Sequence, residues 1–222
     1  MGMKGRSARA RQGLVLAALA VLAWLGYGAY NVLTAPEGFR AFIMGGGGGG
    51  GAAQIGGAFN LIDQNANTRT DGAFRGQLML VFFGYTHCPD VCPIGLQTMT
   101  EALESLGESG NVVRPIFITI DPARDTPERL KDYAGNFHPR LLALTGSEER
   151  VAQAAKAYRI YYAKSKPAEG HKTANHAAPS DGDYLMDHSS YIYLMGADGR
   201  YLTHFPSNIP ADQLAARIKS YL

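Results

Sequence analysis

Between Gly13 and Pro36 the chain runs for 24 residues without a charged side chain. A helix rises 1.5 Å per residue and the hydrocarbon core of a bilayer is about 30 Å thick, so roughly 20 apolar residues span it. Residues 13–34 are therefore read as a transmembrane helix. Trp24, Tyr27 and Tyr30 lie toward its C-terminal half, where aromatic rings suit the membrane–water interface. Lys4, Arg6, Arg9 and Arg11 precede it, with no acid among residues 1–12. Such a basic leader stays in the cytoplasm and sends the rest of the chain across. The competing reading is a cleaved signal peptide, whose apolar region runs about 7–15 residues and ends at an Ala-x-Ala-like site. Here the run is longer and no such site follows. Both readings export the remainder of the chain.

Gly45 to Gly51 is a run of seven glycines. It buries no apolar surface and loses much backbone entropy if fixed, so residues 35–55 are read as a Gly-rich linker. The folded domain is expected over residues 56–222. The formal net charge is +2, but four of the basic residues sit in the leader. The remainder holds 17 basic against 19 acidic residues, which disfavours nucleic acid as a partner. With 46% hydrophobic residues and glycines that follow no three-residue period, collagen, coiled-coil and wholly disordered chains are disfavoured too.

Past the linker, strand and helix patterns alternate. Residues 58–63 and 67–71 read as short strands, and 77–83 as a buried strand bounded by glycines. Pro93 to Leu106 reads as a helix: Cys92, Leu96, Met99, Leu103 and Leu106 recur at helical spacing along one face. Residues 112–120 form a second buried strand. Thr126-Pro127-Glu128 opens another helix with a hydroxyl cap, a first-position proline and an acid near the positive dipole end. A short strand over 141–144 precedes a helix that starts at Ser147-Glu148-Glu149 and runs to Ala157. Strands over 190–195 and 201–205 flank an Asp198-Gly199 turn, and residues 210–221 form a last helix. Lys164 to Asp187 has no clear period and reads as a long surface loop. The pattern argues an α/β domain of three layers.

The two cysteines, Cys88 and Cys92, lie between a buried strand and the helix after it, in Gly84-Tyr85-Thr86-His87-Cys88-Pro89-Asp90-Val91-Cys92-Pro93. Four residues apart, both sulfurs can face one side if the second sits in the first helical turn. The free N–H groups there favour thiolate, so the thiol pKa is expected to fall. Three uses compete on spacing alone. A structural disulfide would close a very small loop and stabilise little. On spacing alone the disulfide, a redox dithiol and a metal site remain about equally open. Two thiolates are too few for a closed zinc site, and soft thiolates suit Cu(I), which would still need a third donor. A peroxidase would need an activating Arg or Thr; Thr86 lies near, and no Arg does so in sequence.

The third donor would most plainly be one of six histidines. His87 points elsewhere if its neighbour Cys88 faces the site. His138 and His204 read as surface or edge residues, and His171 and His176 fall in the long loop. His188 ends that loop, just before the strand over 190–195. Pattern alone does not choose among them.

Taken together, the motifs resemble the SCO/SenC family, copper chaperones of cytochrome c oxidase assembly. The matching segments are Phe83 through Pro93, then Phe117-Ile118-Thr119-Ile120-Asp121-Pro122 with Arg124-Asp125-Thr126-Pro127, then Leu144-Thr145-Gly146. Ala157-Tyr158-Arg159 with Tyr161-Tyr162, and Asp187-His188-Ser189 followed by Tyr191, complete the ordered set. The resemblance implies a thioredoxin-like fold with insertions. It implies a site for copper, as Cu(I) or Cu(II), built from Cys88, Cys92 and His188, with Asp90 as a tuner of the site or of docking rather than a ligand. The implied role is a membrane-anchored metallochaperone that delivers copper to the Cu-A site of oxidase subunit II. A thiol–disulfide oxidoreductase that reduces the acceptor cysteines is the alternative. Other copper chaperones and thiol–disulfide proteins are further expected partners. The expected location is the inner membrane of a bacterial cell with the domain in the periplasm, and secondly a mitochondrial inner membrane facing the intermembrane space. The polyglycine run and the loop carrying His171 and His176 depart from the family's pattern.

Overall fold

A computed structural model describes residues 55–165 and 184–222. The expected leader, anchor and nearly all of the linker lie outside the described residues, as do His171 and His176. Among the described residues no helix is long and apolar enough to cross a membrane.

Among the described residues nine strands form, and seven of them share one sheet. They are β1 (Asn60–Asp63), β2 (Thr68–Thr70), β3 (Leu78–Gly84), β4 (Val113–Thr119), β5 (Leu142–Thr145), β6 (Tyr162–Ser165), β7 (Leu185–His188), β8 (Tyr191–Met195) and β9 (Tyr201–Pro206). The large sheet runs β2-β1-β5-β4-β3-β8-β9, while β6 and β7 pair separately. β3, β4 and β5 are mutually parallel, and β8 and β9 continue the sheet antiparallel. Every residue of β3 is buried, as a central parallel strand covered on both faces requires.

Among the described residues four α-helices flank the sheet: α1 (Val91–Leu106), α2 (Pro127–Ala134), α3 (Glu148–Ala157) and α4 (Ala211–Lys219). Phe82 and Phe117 are register partners and so share a face. On that face lie Gly95 of α1 and Tyr133 of α2, and α4 packs against α1. Phe83 points the opposite way, where Tyr158 after α3 meets it at 5.2 Å between ring centroids. The expected three-layer, thioredoxin-like α/β domain is present, with α1, α2 and α4 on one face of the sheet and α3 on the other.

The local signals act as expected. Thr126 accepts a hydrogen bond from the Arg129 N–H and Ser147 one from the Arg150 N–H, each capping its helix. Two expectations need correction. The helix predicted from Pro93 begins at Val91, because a proline within the first turn displaces no intrahelical donor. The region 164–187, predicted as loop, begins and ends in strand: Tyr162 pairs with His188 and Ser165 with Leu185. Both strands are four residues long, and Met186 is the one buried residue in either, so no alternation was there to read.

Candidate metal centre

β3 ends at Gly84, and the chain turns through Tyr85 to Asp90 into α1. Cys88 lies on that turn and Cys92 on the second residue of the helix, 8% and 0% exposed. They form no disulfide. Gly84 lets Cys92 come close: a Cβ there would stand 2.7 Å from Cys92 Sγ and 2.9 Å from the Phe117 ring. The end of β7 brings His188 to the same point. One donor atom from each of Cys88, Cys92 and His188 lies within 4.8 Å of the others, and His188 Nε2 is 3.4 Å from Cys92 Sγ.

The histidine is prepared to donate a lone pair. Its Nδ1 lies 3.0 Å from the Ser189 carbonyl oxygen. A carbonyl only accepts, so Nδ1 donates there, and Nε2 is the ring nitrogen turned to the sulfurs. The ring stands edge-on to Tyr85 at 6.0 Å and to Phe82 at 6.5 Å between centroids. The Tyr85 hydroxyl accepts the Met186 N–H at 3.1 Å, tying β7 to the cysteine turn.

The two thiols behave oppositely. Cys88 is pulled down to about 4, first because the Cys92 thiol donates to it, against the opposing cost of burial. His188 and the backbone N–H groups of Asp90 and Cys92 assist, which is the helix N-terminus at work. Cys92 is pushed far above the usual thiol range, by that same hydrogen bond to Cys88 and then by burial. The expectation of a lowered thiol pKa therefore holds for Cys88 and fails for Cys92. One proton is shared by the pair, and the fully buried sulfur keeps it.

Two soft sulfurs and one imidazole nitrogen converge with no carboxylate among them. That donor set fits a thiophilic metal such as copper and is short of the four ligands of a closed zinc site. Among the described residues, the other histidines stay outside the group. His87 is exposed and meets Thr86 Oγ1 at 3.2 Å. His138 accepts the Arg140 N–H, and His204 lies on edge strand β9 beside Tyr201. Asp90 is exposed at the start of α1 with no capping bond from its side chain.

Sequence reasoning missed the layer behind the turn. Asp125 is fully buried and accepts Thr86 Oγ1 and Thr119 Oγ1, each at 2.6 Å, along with the Thr86 N–H. Burial raises its pKa. Arg129 Nε reaches Thr86 Oγ1 at 3.3 Å, so an arginine does approach the turn, through space rather than along the chain. The Thr126-Pro127 start of α2 was legible, but not which residue of the helix would point back.

Comparison with known proteins agrees with this geometry. Residues 48–222 match the SCO1/SenC family. "Protein sco1" of Schizosaccharomyces pombe is 41% identical over 169 residues, which cover 76% of this chain and 61% of that protein. The chain thus matches under two thirds of that relative's length. The copper-bound structure of Bradyrhizobium japonicum ScoI superposes with a TM-score of 0.65 at 42% identity, covering 76% of this chain and 99% of that one. BsSco, described as a Sco-family cytochrome c oxidase assembly protein with a disulfide switch, superposes with a TM-score of 0.55 at 25% identity, covering 76% and 94%. With five ordered motifs, the fold and the converged Cys88–Cys92–His188 group in agreement, the chain belongs to the SCO1/SenC family.

Proposed function

We propose that this chain is a copper metallochaperone of cytochrome c oxidase assembly, with copper as its cargo and Cys88, Cys92 and His188 as the ligands. The observation that carries the reading is the convergence of those three donors within 4.8 Å, from two elements far apart in sequence. Copper bound to its relative ScoI, and the oxidase-assembly role given for BsSco, support it. Few ligands, one of them only half-buried, suit release by ligand exchange. The acceptor we propose is the Cu-A site of oxidase subunit II. Residues 1–12 would form a cytoplasmic leader, 13–34 a membrane anchor and 35–55 a tether, with the domain from 56 to 222 in the periplasm.

The lowered pKa of Cys88 favours a second role, as a thiol–disulfide reductase of the acceptor's cysteines. Cys88 thiolate attacks a substrate disulfide and expels one substrate thiolate. Cys92 then loses its proton and attacks Cys88, expelling the other. Two electrons pass to the substrate and the Cys88–Cys92 disulfide remains. That disulfide removes two donors, so copper binding depends on redox state.

The test is anaerobic copper titration of the reduced full chain in detergent, beside Cys88→Ser, Cys92→Ser and His188→Ala. One tight equivalent in the parent and none in the variants is expected. Retention of tight stoichiometric copper by His188→Ala would overturn the ligand set. Turnover of a disulfide by the metal-free His188→Ala protein would show the reductase role on its own.

A further inference from the structure

The β6–β7 pair is sparsely buried, yet it delivers His188. No residue of β6 is buried, and Met186 alone is buried in β7. A cleft of about 250 Å³ opens beside the pair, lined by Asp121, Tyr162, Lys164 and Met186 among others. Apolar packing of the pair on the core is limited to Met186 and the partly buried Tyr162, so discrete polar contacts matter for holding these strands.

Besides the Met186 N–H bond to the Tyr85 hydroxyl, those contacts gather on Tyr184, the residue before β7. Its hydroxyl donates to Asp121 Oδ1 at 2.6 Å, and its carbonyl accepts from Arg124 Nη1 at 3.0 Å. The Arg124 guanidinium lies 3.6 Å from its ring centroid and the Lys164 ammonium 4.4 Å. Asp121 is itself buried and accepts Arg124 Nε. The loop after β4 thus offers a rigid anion–cation corner, and Tyr184 engages both members with hydroxyl, carbonyl and ring.

We propose that Tyr184 is a positioning residue for copper binding: it clasps the His188 strand to the Asp121–Arg124 corner and so sets how fast the site releases its ion. This rests on the copper reading above. Tyr184 acts through the strand. With the clasp open, the imidazole spends part of its time away from the sulfurs, and apparent affinity falls by the fraction of competent molecules.

The test compares Tyr184→Ala and Tyr184→Phe with the parent, as the reduced full chain in detergent. Tyr184→Phe keeps the ring against Arg124 and Lys164 and loses only the bond to Asp121, so it carries the test if Tyr184→Ala does not fold. Release of Cu(I) to a chelator should accelerate roughly tenfold or more in Tyr184→Ala, as for loss of a group that orients a ligand, with Tyr184→Phe between it and the parent. Amide exchange at Met186 and His188 should rise while exchange in β3 and β4 stays unchanged. Parent-like release and parent-like exchange in both variants would overturn the clasp. So would exchange that rises equally in β3, β4 and β7, which marks general destabilisation. A parent that takes up no copper sinks the copper reading instead, and strand-selective exchange then still decides whether Tyr184 clasps β7.

Discussion

His188 Nε2 sits 3.4 Å from Cys92 Sγ although 96 positions separate the two residues. Two endings create the contact. β3 stops at Gly84 and hands the chain to α1, while β7 stops at His188 before the chain re-enters the sheet as β8. Since β8 pairs with β3, the short step from His188 to Tyr191 returns the chain beside the strand that leads to the cysteines. The three-donor group is thus a consequence of sheet order, with Nδ1 of the imidazole turned to the Ser189 carbonyl.

Cys88 should react as a thiolate at ordinary pH. Its pKa is lowered to about 4, so the nucleophilic form is present above that value and is lost only as pH falls through it. Alkylation of the reduced protein by iodoacetamide should label Cys88 at a nearly constant rate from about pH 6 to 9, where an unperturbed thiol near 8.5 rises steeply. Cys92, buried and holding its proton, should label far more slowly. Mass spectrometry of the two sites against pH reads the result, and equal rates at both would refute it.

Copper uptake should release a proton. Cys88 is already ionised at neutral pH, whereas Cys92 must give up its proton to become a ligand. Apparent Cu(I) affinity should therefore rise about tenfold per pH unit between roughly pH 6 and 8. Calorimetry in buffers of different ionisation enthalpy counts the proton. A pH-independent affinity would mean that both sulfurs are thiolates in the free protein.

Gly84→Ala should damage the site more than the fold. Its Cβ would overlap Cys92 Sγ at 2.7 Å and the Phe117 ring at 2.9 Å, and neither group has a long flexible end that can yield. Overpacking of this kind costs about 1–3 kcal/mol. A lowered unfolding midpoint should come with copper affinity reduced at least about tenfold, because the buried sulfur is the atom displaced. Unchanged affinity in a folded variant would show that the sulfur relaxes freely.

Much of this was readable in advance because it is local. Continuous apolar runs mark β3 and β4, hydroxyl caps mark α2 and α3, and Asp198-Gly199 marks the last hairpin. The cysteine pair was legible as chemistry, but spacing left disulfide, dithiol and metal open. The motif set, and not periodicity, singled out His188. What stayed hidden depends on distant pairing. β6 and β7 carry one buried residue between them and so leave no periodic trace. Arg129 meets Thr86 across 43 positions, and Asp125 meets it across 39. The opposite pKa shifts of two sulfurs four residues apart follow from which is enclosed, and burial at that resolution is a property of the packed fold.

Tyr133 supplies the last prediction. Its hydroxyl is buried and, among the described residues, has no hydrogen-bond partner. Its ring packs on Phe117 and Phe137, at 5.7 and 5.2 Å between centroids. Burial raises its pKa, and the negative charge of the cysteine pair nearby adds to that, so the group stays neutral at any ordinary pH. A neutral hydroxyl without a partner loses its water hydrogen bonds on folding and regains nothing. Tyr133→Phe keeps the ring contacts and removes that loss, so the metal-free protein should gain about 1 kcal/mol of stability. Denaturant unfolding of the reduced chain measures the gain, and the slope of the transition should be unchanged because the exposed area is the same. A loss of stability would instead reveal a bound water serving the hydroxyl, and Tyr133 would then belong to the hydrogen-bonded layer behind the cysteines.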